Sequence, residues 1–177
     1  MYTLLVLRER NKMNALQSMQ QHLAKTLDTE LNQLGANQPG TLNLGHGEIR
    51  ISCAVRSFEQ LACELDGIRF EIPRLTSCPP ETLAGLSEQL CDQLSYLLEP
   101  ITPIEFDAQR SESQNRSNPP ACDGQRTRRY YELLVRPGEI VLARYEKPGG
   151  LPRQSISMML TREVLLRLLA DVVQVVA

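Results

Sequence analysis

A nucleophile paired with a base is the first chemistry to look for, and this chain offers few residues for it. Cys78 is the one thiol placed for reactivity. It stands just ahead of a helix start, in Cys78-Pro79-Pro80, where the positive end of a helix lowers a thiol pKa. The sequence holds two histidines, His22 and His46, so a Cys–His pair must recruit one of them. His46 lies in Gly45-His46-Gly47-Glu48, a run that could carry an imidazole and a carboxylate to one loop tip. A turn leading into a strand explains the same glycines. Pro79 and Pro80 also remove two backbone N–H groups from beside Cys78. Cys78, His46 and Glu48 are therefore the catalytic candidates, ranked below a non-catalytic role.

Metal and phosphate chemistry find less. The five cysteines are Cys53, Cys63, Cys78, Cys91 and Cys122, with no CxxC pair, whereas a structural zinc site wants tightly paired ligands. Cys53 and Cys63 fall on predicted strands and Cys91 on a predicted helix, where thiols serve as small hydrophobes. There is no GxGxxG or GxxxxGK[ST] segment. Gly149-Gly150 is followed by Pro152 and a strand pattern, which is a turn. No metal and no cofactor are expected.

One basic cluster stands out. Arg126, Arg128 and Arg129 precede Tyr130 and Tyr131, with Arg110 and Arg116 upstream. Cations beside aromatics can hold single-stranded nucleic acid. Here Glu112 and Asp123 interrupt the run, and the whole chain carries a formal charge of −2 from 19 basic and 21 acidic residues. A solvated loop end is the preferred reading, and nucleic-acid binding through 126–131 is kept as an alternative.

The elements that must position these residues follow from periodicity. Leu16, Met19, Leu23, Leu27, Leu31 and Leu34 recur at helical spacing, with Asn14 as the expected cap and Gly35 as the stop. Residues 1–13 are expected to be an N-terminal arm or an extended start, and 14–177 a single domain. Ile49, Ile51, Cys53 and Val55 alternate as a strand. Asp66-Gly67 then asks for a two-residue hairpin pairing Leu65 with Ile68 and Cys63 with Phe70. Leu83, Leu86, Leu90, Leu94 and Leu97 mark a second helix, opened by Pro80 and stopped by Pro100.

Ile104, Phe106 and Ala108 suggest a strand. Residues 109–128 carry almost no apolar side chain and are expected to form a mobile loop. Strands resume at Tyr131, Leu133 and Val135, turn at Pro137-Gly138, and continue through Ile140 and Leu142 and again through Ile156–Leu160. Thr161 caps a last helix whose apolar sector, from Val164 to Val173, is broader than one sheet face requires. Its outer flank, Leu166, Leu169 and Val173, is the expected binding surface, with the strand residues Tyr130 and Tyr145 next.

Length and composition set the class. A chain of 177 residues, 42% hydrophobic and 23% charged, is one globular domain with a real core. No secretory signal precedes the odd set of cysteines, so reduced thiols and a cytoplasmic location are expected. No apolar run has the length to span a bilayer.

The order of helix, three strands, helix, further strands and helix resembles the small acidic chaperones of type III secretion systems, over roughly Asn14 to Val176. The resemblance implies a homodimer that captures an extended peptide segment. The fold expected is α+β: a twisted, mostly antiparallel sheet of six or seven strands with three helices packed mainly on one face. The function expected is a non-enzymatic binding or interaction protein, acting as a homodimer or on another protein. An enzyme using Cys78 or His46 is the alternative from a different class.

Overall fold

Ten strands join one sheet in which every pairing among the described residues is antiparallel. The computed structural model describes residues 2–35, 37–122 and 127–177, with side chains from Met13 onward. In chain order the elements are α1 (Tyr2–Leu34), β1 (Gly40–His46), β2 (Ile49–Phe58), β3 (Ala62–Glu71), α2 (Pro80–Gln93), β4 (Ile101–Asp107), β5 (Glu112–Ser117), β6 (Ala121–Cys122), β7 (Arg128–Arg136), β8 (Glu139–Lys147), β9 (Gln154–Ile156), β10 (Met158–Thr161) and α3 (Arg162–Val176). The main path of the sheet runs β1-β2-β3-β8-β7-β5-β4, with the short strands β10, β6 and β9 joined to β3, β7 and β8. The fold is the α+β class expected, with the helices on one face.

Each helix contributes the stripe its spacing foretold. Leu23 and Leu27 of α1, Leu83 and Leu90 of α2, and Leu165, Leu168 and Leu169 of α3 are all buried. They close over the inward side chains Ile51, Cys53, Leu65, Phe70, Leu133, Val135, Ile140 and Leu142. Thr161 caps α3 by accepting from the Val164 N–H at 3.2 Å. Gly35 stops α1 at φ 80°, the left-handed position that glycine takes without steric cost.

Four expectations are corrected. Helix α1 runs back to Tyr2, through the segment expected as an arm, and Asn14 lies inside it. Residues 2–13 are free of Gly and Pro and include Leu, Arg, Glu and Lys, which favour continuation.

Asp66-Gly67 is not a hairpin turn. β3 passes straight through it and bulges there, with Ala54 opposite Gly67 and Val55 opposite Leu65. On its other edge β3 pairs with β10 up to Leu65 and with β8 from Ile68. The Asp-Gly step is where a ten-residue strand bends to change partners, as bulges do. The Asp66 carboxylate also pairs with Arg56. The turn expected from the glycines around His46 lies at Gly47-Glu48, between the paired His46 and Ile49; one that the sequence left unmarked lies at 59–61, where the Glu59 N–H donates to the Ala62 carbonyl at 2.8 Å.

The segment 109–128 is not a loop throughout, because β5 fills a central position between β4 and β7. Its inward side chains Ser113, Asn115 and Ser117 are polar yet buried, and they satisfy one another and α2. Ser87 Oγ lies 2.8 Å from Ser113 Oγ and donates to Asn115 Oδ1 at 2.9 Å. Asn115 donates to the Leu133 carbonyl at 2.9 Å, and Ser117 accepts from the Tyr131 N–H at 2.8 Å. Buried polar groups are tolerated when paired in this way.

The outer flank of α3 is the fourth correction. Leu169 and Val173 are wholly buried in the single chain, and Leu166 is half-buried against the same core. α3 lies between α1 and α2 over the sheet, so its broad apolar sector is spent on three neighbours within one molecule.

Candidate functional site

The helix-free face of the sheet is polar, and its arginines are answered across the strands by glutamates. Arg50 stands opposite Glu71, Arg116 opposite Glu132 and Arg136 opposite Glu139; each is also an ion pair. At one end, over β5, β7 and β8, this balance tips positive around a cleft of about 480 Å³.

Strand alternation builds the cleft. Tyr131, Leu133 and Val135 of β7 point into the core, which leaves Arg128, Tyr130 and Glu132 on the other face. In β8 the partner side chains are Lys147 opposite Arg128 and Tyr145 opposite Tyr130. The two tyrosine rings stack with centroids 6.0 Å apart and planes 26° apart. Arg116 of β5 reaches over the Tyr130 ring at 5.4 Å from its centroid. The segment after β8 turns at Pro148-Gly149-Gly150, with Gly150 at φ 77°, and brings Arg153 over the Tyr145 ring at 4.3 Å. The result is a stack of Arg116, Tyr130, Tyr145 and Arg153, held by cation–π and ring contacts.

Glu132 anchors the two arginines from below. It is buried, accepts from Arg116 Nε at 2.8 Å and from Gln114 Nε2 at 3.0 Å, and pairs with Arg153 as well. Four cations, Arg116, Arg128, Lys147 and Arg153, line the cleft around this one carboxylate. Arg128 and Lys147 are exposed and have no ion-pair partner among the described residues. Two exposed apolar side chains, Ile104 and Leu151, stand on the rim.

Behind the stack the sheet is stiffened from its helix side. Arg144 donates to Glu99 at 2.7 Å and to the Tyr131 hydroxyl at 3.0 Å. Its guanidinium lies 4.6 Å from the Tyr131 ring centroid. The Arg144–Glu99 pair is nearly buried on both sides. Burial pushes the Tyr131 hydroxyl pKa up, so that it stays a neutral partner.

The predicted site residues separate into two groups. Tyr130 and Arg128 line the cleft, and Tyr145 stands beside it, stacked on Tyr130. Arg129 is on the same strand and bonds Glu146 at 2.7 Å on the alternate face, and Arg126 lies outside the described residues. The catalytic candidates do not meet. His46 borders an apolar cleft of about 510 Å³ with Met13, Leu16, Met19 and Ala177, and its ring lies 6.1 Å from that of His22. Glu48 is exposed in the β1–β2 turn. Cys78 borders a different cleft, between α2 and the end of α3, with its sulfur 3.6 Å from the Arg74 carbonyl oxygen. Lys147 and Arg153 escaped the sequence reading because the turn at 148–150 and the β7–β8 register bring them to the cluster, and local composition carries no sign of either.

No helix among the described residues is long and apolar enough to cross a membrane. Comparison of the chain with protein-family models, curated proteins and solved structures finds no match.

Proposed function

We propose that the protein is a non-enzymatic binding protein, an adaptor that captures an acidic segment of a partner protein in the cleft beside Tyr130 and Tyr145. The observation that carries this reading is the closed state of the tyrosine rings. The rings stack on one another, and Arg116 lies over the Tyr130 ring and Arg153 over the Tyr145 ring. A base-stacking platform needs an open ring face, and both rings here are already engaged by each other and by a guanidinium group. What the cleft does offer is N–H donors from four cations and an apolar rim at Ile104 and Leu151. Guanidinium groups take carboxylates with two parallel hydrogen bonds, and an apolar rim suits the leucines or valines of a peptide.

This reading agrees in class with the peptide capture implied by the element order, and it needs no second copy of the chain. The test is fluorescence anisotropy with a labelled peptide of alternating Glu and Leu. Its Gln analogue and a labelled oligothymidine are the controls. The acidic peptide should bind, weaken steeply with added salt, and exceed both controls. Tighter binding of oligothymidine would move the assignment to nucleic acid, and equal binding of the Gln analogue would remove the electrostatic basis.

A further inference from the structure

The sheet's rule of facing arginine with glutamate is broken at one pair of exposed cations. Arg128 and Lys147 are direct cross-strand partners, which places their Cβ atoms about 4.5–5.5 Å apart. Like charges in that position destabilise a strand pair. Two acidic pairs also stand in register: Glu71 with Glu139, relieved by Arg50, Arg69 and Arg136, and Asp107 with Glu112, where Arg110 pairs with Asp107. Nothing among the described residues relieves Arg128 and Lys147. The two side chains form the ridge between the tyrosine cleft and a second cleft of about 520 Å³, bordered by Cys122 and Gly150. A Cβ added at Gly150 would meet no atom within 4 Å, so open space remains beside the ridge.

We propose that Arg128 and Lys147 form a subsite for a phosphate monoester, carried as a phosphorylated serine or threonine on the captured segment. The proposal rests on the peptide-binding role assigned above and adds the chemical class of its ligand. Two cations with no anion beside them among the described residues match a group that carries about −1.5 to −2 charge at pH 7. One carboxylate neutralises only half of that ridge, and a nucleic-acid phosphodiester carries a single charge. Arg128 supplies a planar fork and Lys147 a mobile point charge, a combination suited to several phosphate oxygens at once.

The experiment uses the full chain and three labelled acidic peptides, identical except for phosphoserine, serine or glutamate at one central position. In the wild type, phosphoserine should bind about tenfold or more tightly than serine, with glutamate between them. That advantage should shrink as pH falls through about 6, where a phosphate monoester takes up its second proton. In the R128A/K147A double variant, checked for folding by circular dichroism, the phosphoserine-to-serine ratio should fall to about one, whatever happens to the affinity common to all three. A ratio near one in the wild type, with serine peptide still bound, overturns the subsite and leaves the acidic-segment role standing. A ratio that survives the double substitution places phosphate recognition elsewhere and also overturns it. Failure of all three peptides to bind removes both proposals.

Discussion

Tyr130 and Tyr145 stack across β7 and β8 with ring centroids 6.0 Å apart, and Arg116 and Arg153 lie over the two rings. Only antiparallel register makes this stack, since the two residues are direct partners. The consequence is a pair of guanidinium groups held at fixed positions beside the cleft, each also tied to Glu132. Such preorganisation lowers the entropy lost when a carboxylate binds.

Replacing Tyr145 by leucine removes the ring under Arg153 and the ring against Tyr130. Losses of roughly 0.5–1.5 kcal/mol for the ring pair and about 0.5–1 kcal/mol for the cation–π contact bear on the geometry of Arg153. Affinity for an acidic peptide should fall about fivefold while the fold persists, as anisotropy and circular dichroism would show together. Unchanged affinity would mean that the arginines act as free surface charges.

Asn115 gives a stability prediction. It is wholly buried, accepts from Ser87, and donates to the Leu133 carbonyl. Leucine at 115 leaves Ser87 and that carbonyl with fewer partners, at about 1–3 kcal/mol for each group left unsatisfied. Urea unfolding should show a lower midpoint with an unchanged slope. A neutral effect would mean that β5 is held by its backbone pairing alone.

Buried polarity also marks where the sequence stops being legible. The stripes of α2 and α3 and the strands around Tyr131 and Ile140 are read directly, because apolar residues at helical or alternating spacing are also the ones buried. β5 fails that test, since Ser113 and Asn115 are buried with hydrogen bonds to Ser87 of a distant helix, and Ser117 with one from the Tyr131 N–H, tertiary facts that no local pattern encodes. Asp66-Gly67 misleads for a related reason. Its chemistry permits a tight turn or a bulge, and the choice lies with β8 and β10, strands far along the chain. Of the cleft, Tyr130, Arg128 and the nearby Arg116 are legible as a cluster, whereas Lys147, Arg153 and the buried Glu132 join it only through register and a turn.

α3 supplies a third prediction. Aspartate at Leu169, a fully buried position, puts an unpaired charge in the core, a change in the class that costs more than about 4 kcal/mol. The variant should lose its cooperative unfolding transition by circular dichroism. A folded variant whose solution mass has dropped would instead mean that the residue lies between copies of the chain.

The thiols predict a pH dependence. Burial, with a smaller contribution from Cys63, pushes the Cys53 thiol from an ordinary 9.0 up to about 12. Burial chiefly raises Cys91 to about 11, with Asp92 and Glu88 adding to it. The folded state therefore holds these thiols neutral where the unfolded chain ionises them. Their contribution to stability is complete below pH 9 and is lost as pH rises from about 9 towards 12. Urea midpoints should be flat on this account from pH 7 to 8.5 and fall above pH 9. At pH 8, iodoacetamide should modify the exposed Cys122 first and spare Cys53 and Cys91 until the chain unfolds.

Backbone amide shift mapping with an unphosphorylated acidic peptide tests the central claim most directly. Perturbations should gather at Arg116, Tyr130, Tyr145, Lys147 and Arg153 and fade along β7 and β8 towards the Pro137-Gly138 turn. Shifts centred instead on Met13, Leu16 and His46, or no shifts at peptide concentrations well above the protein's, would contradict the assignment of this cleft as the binding site.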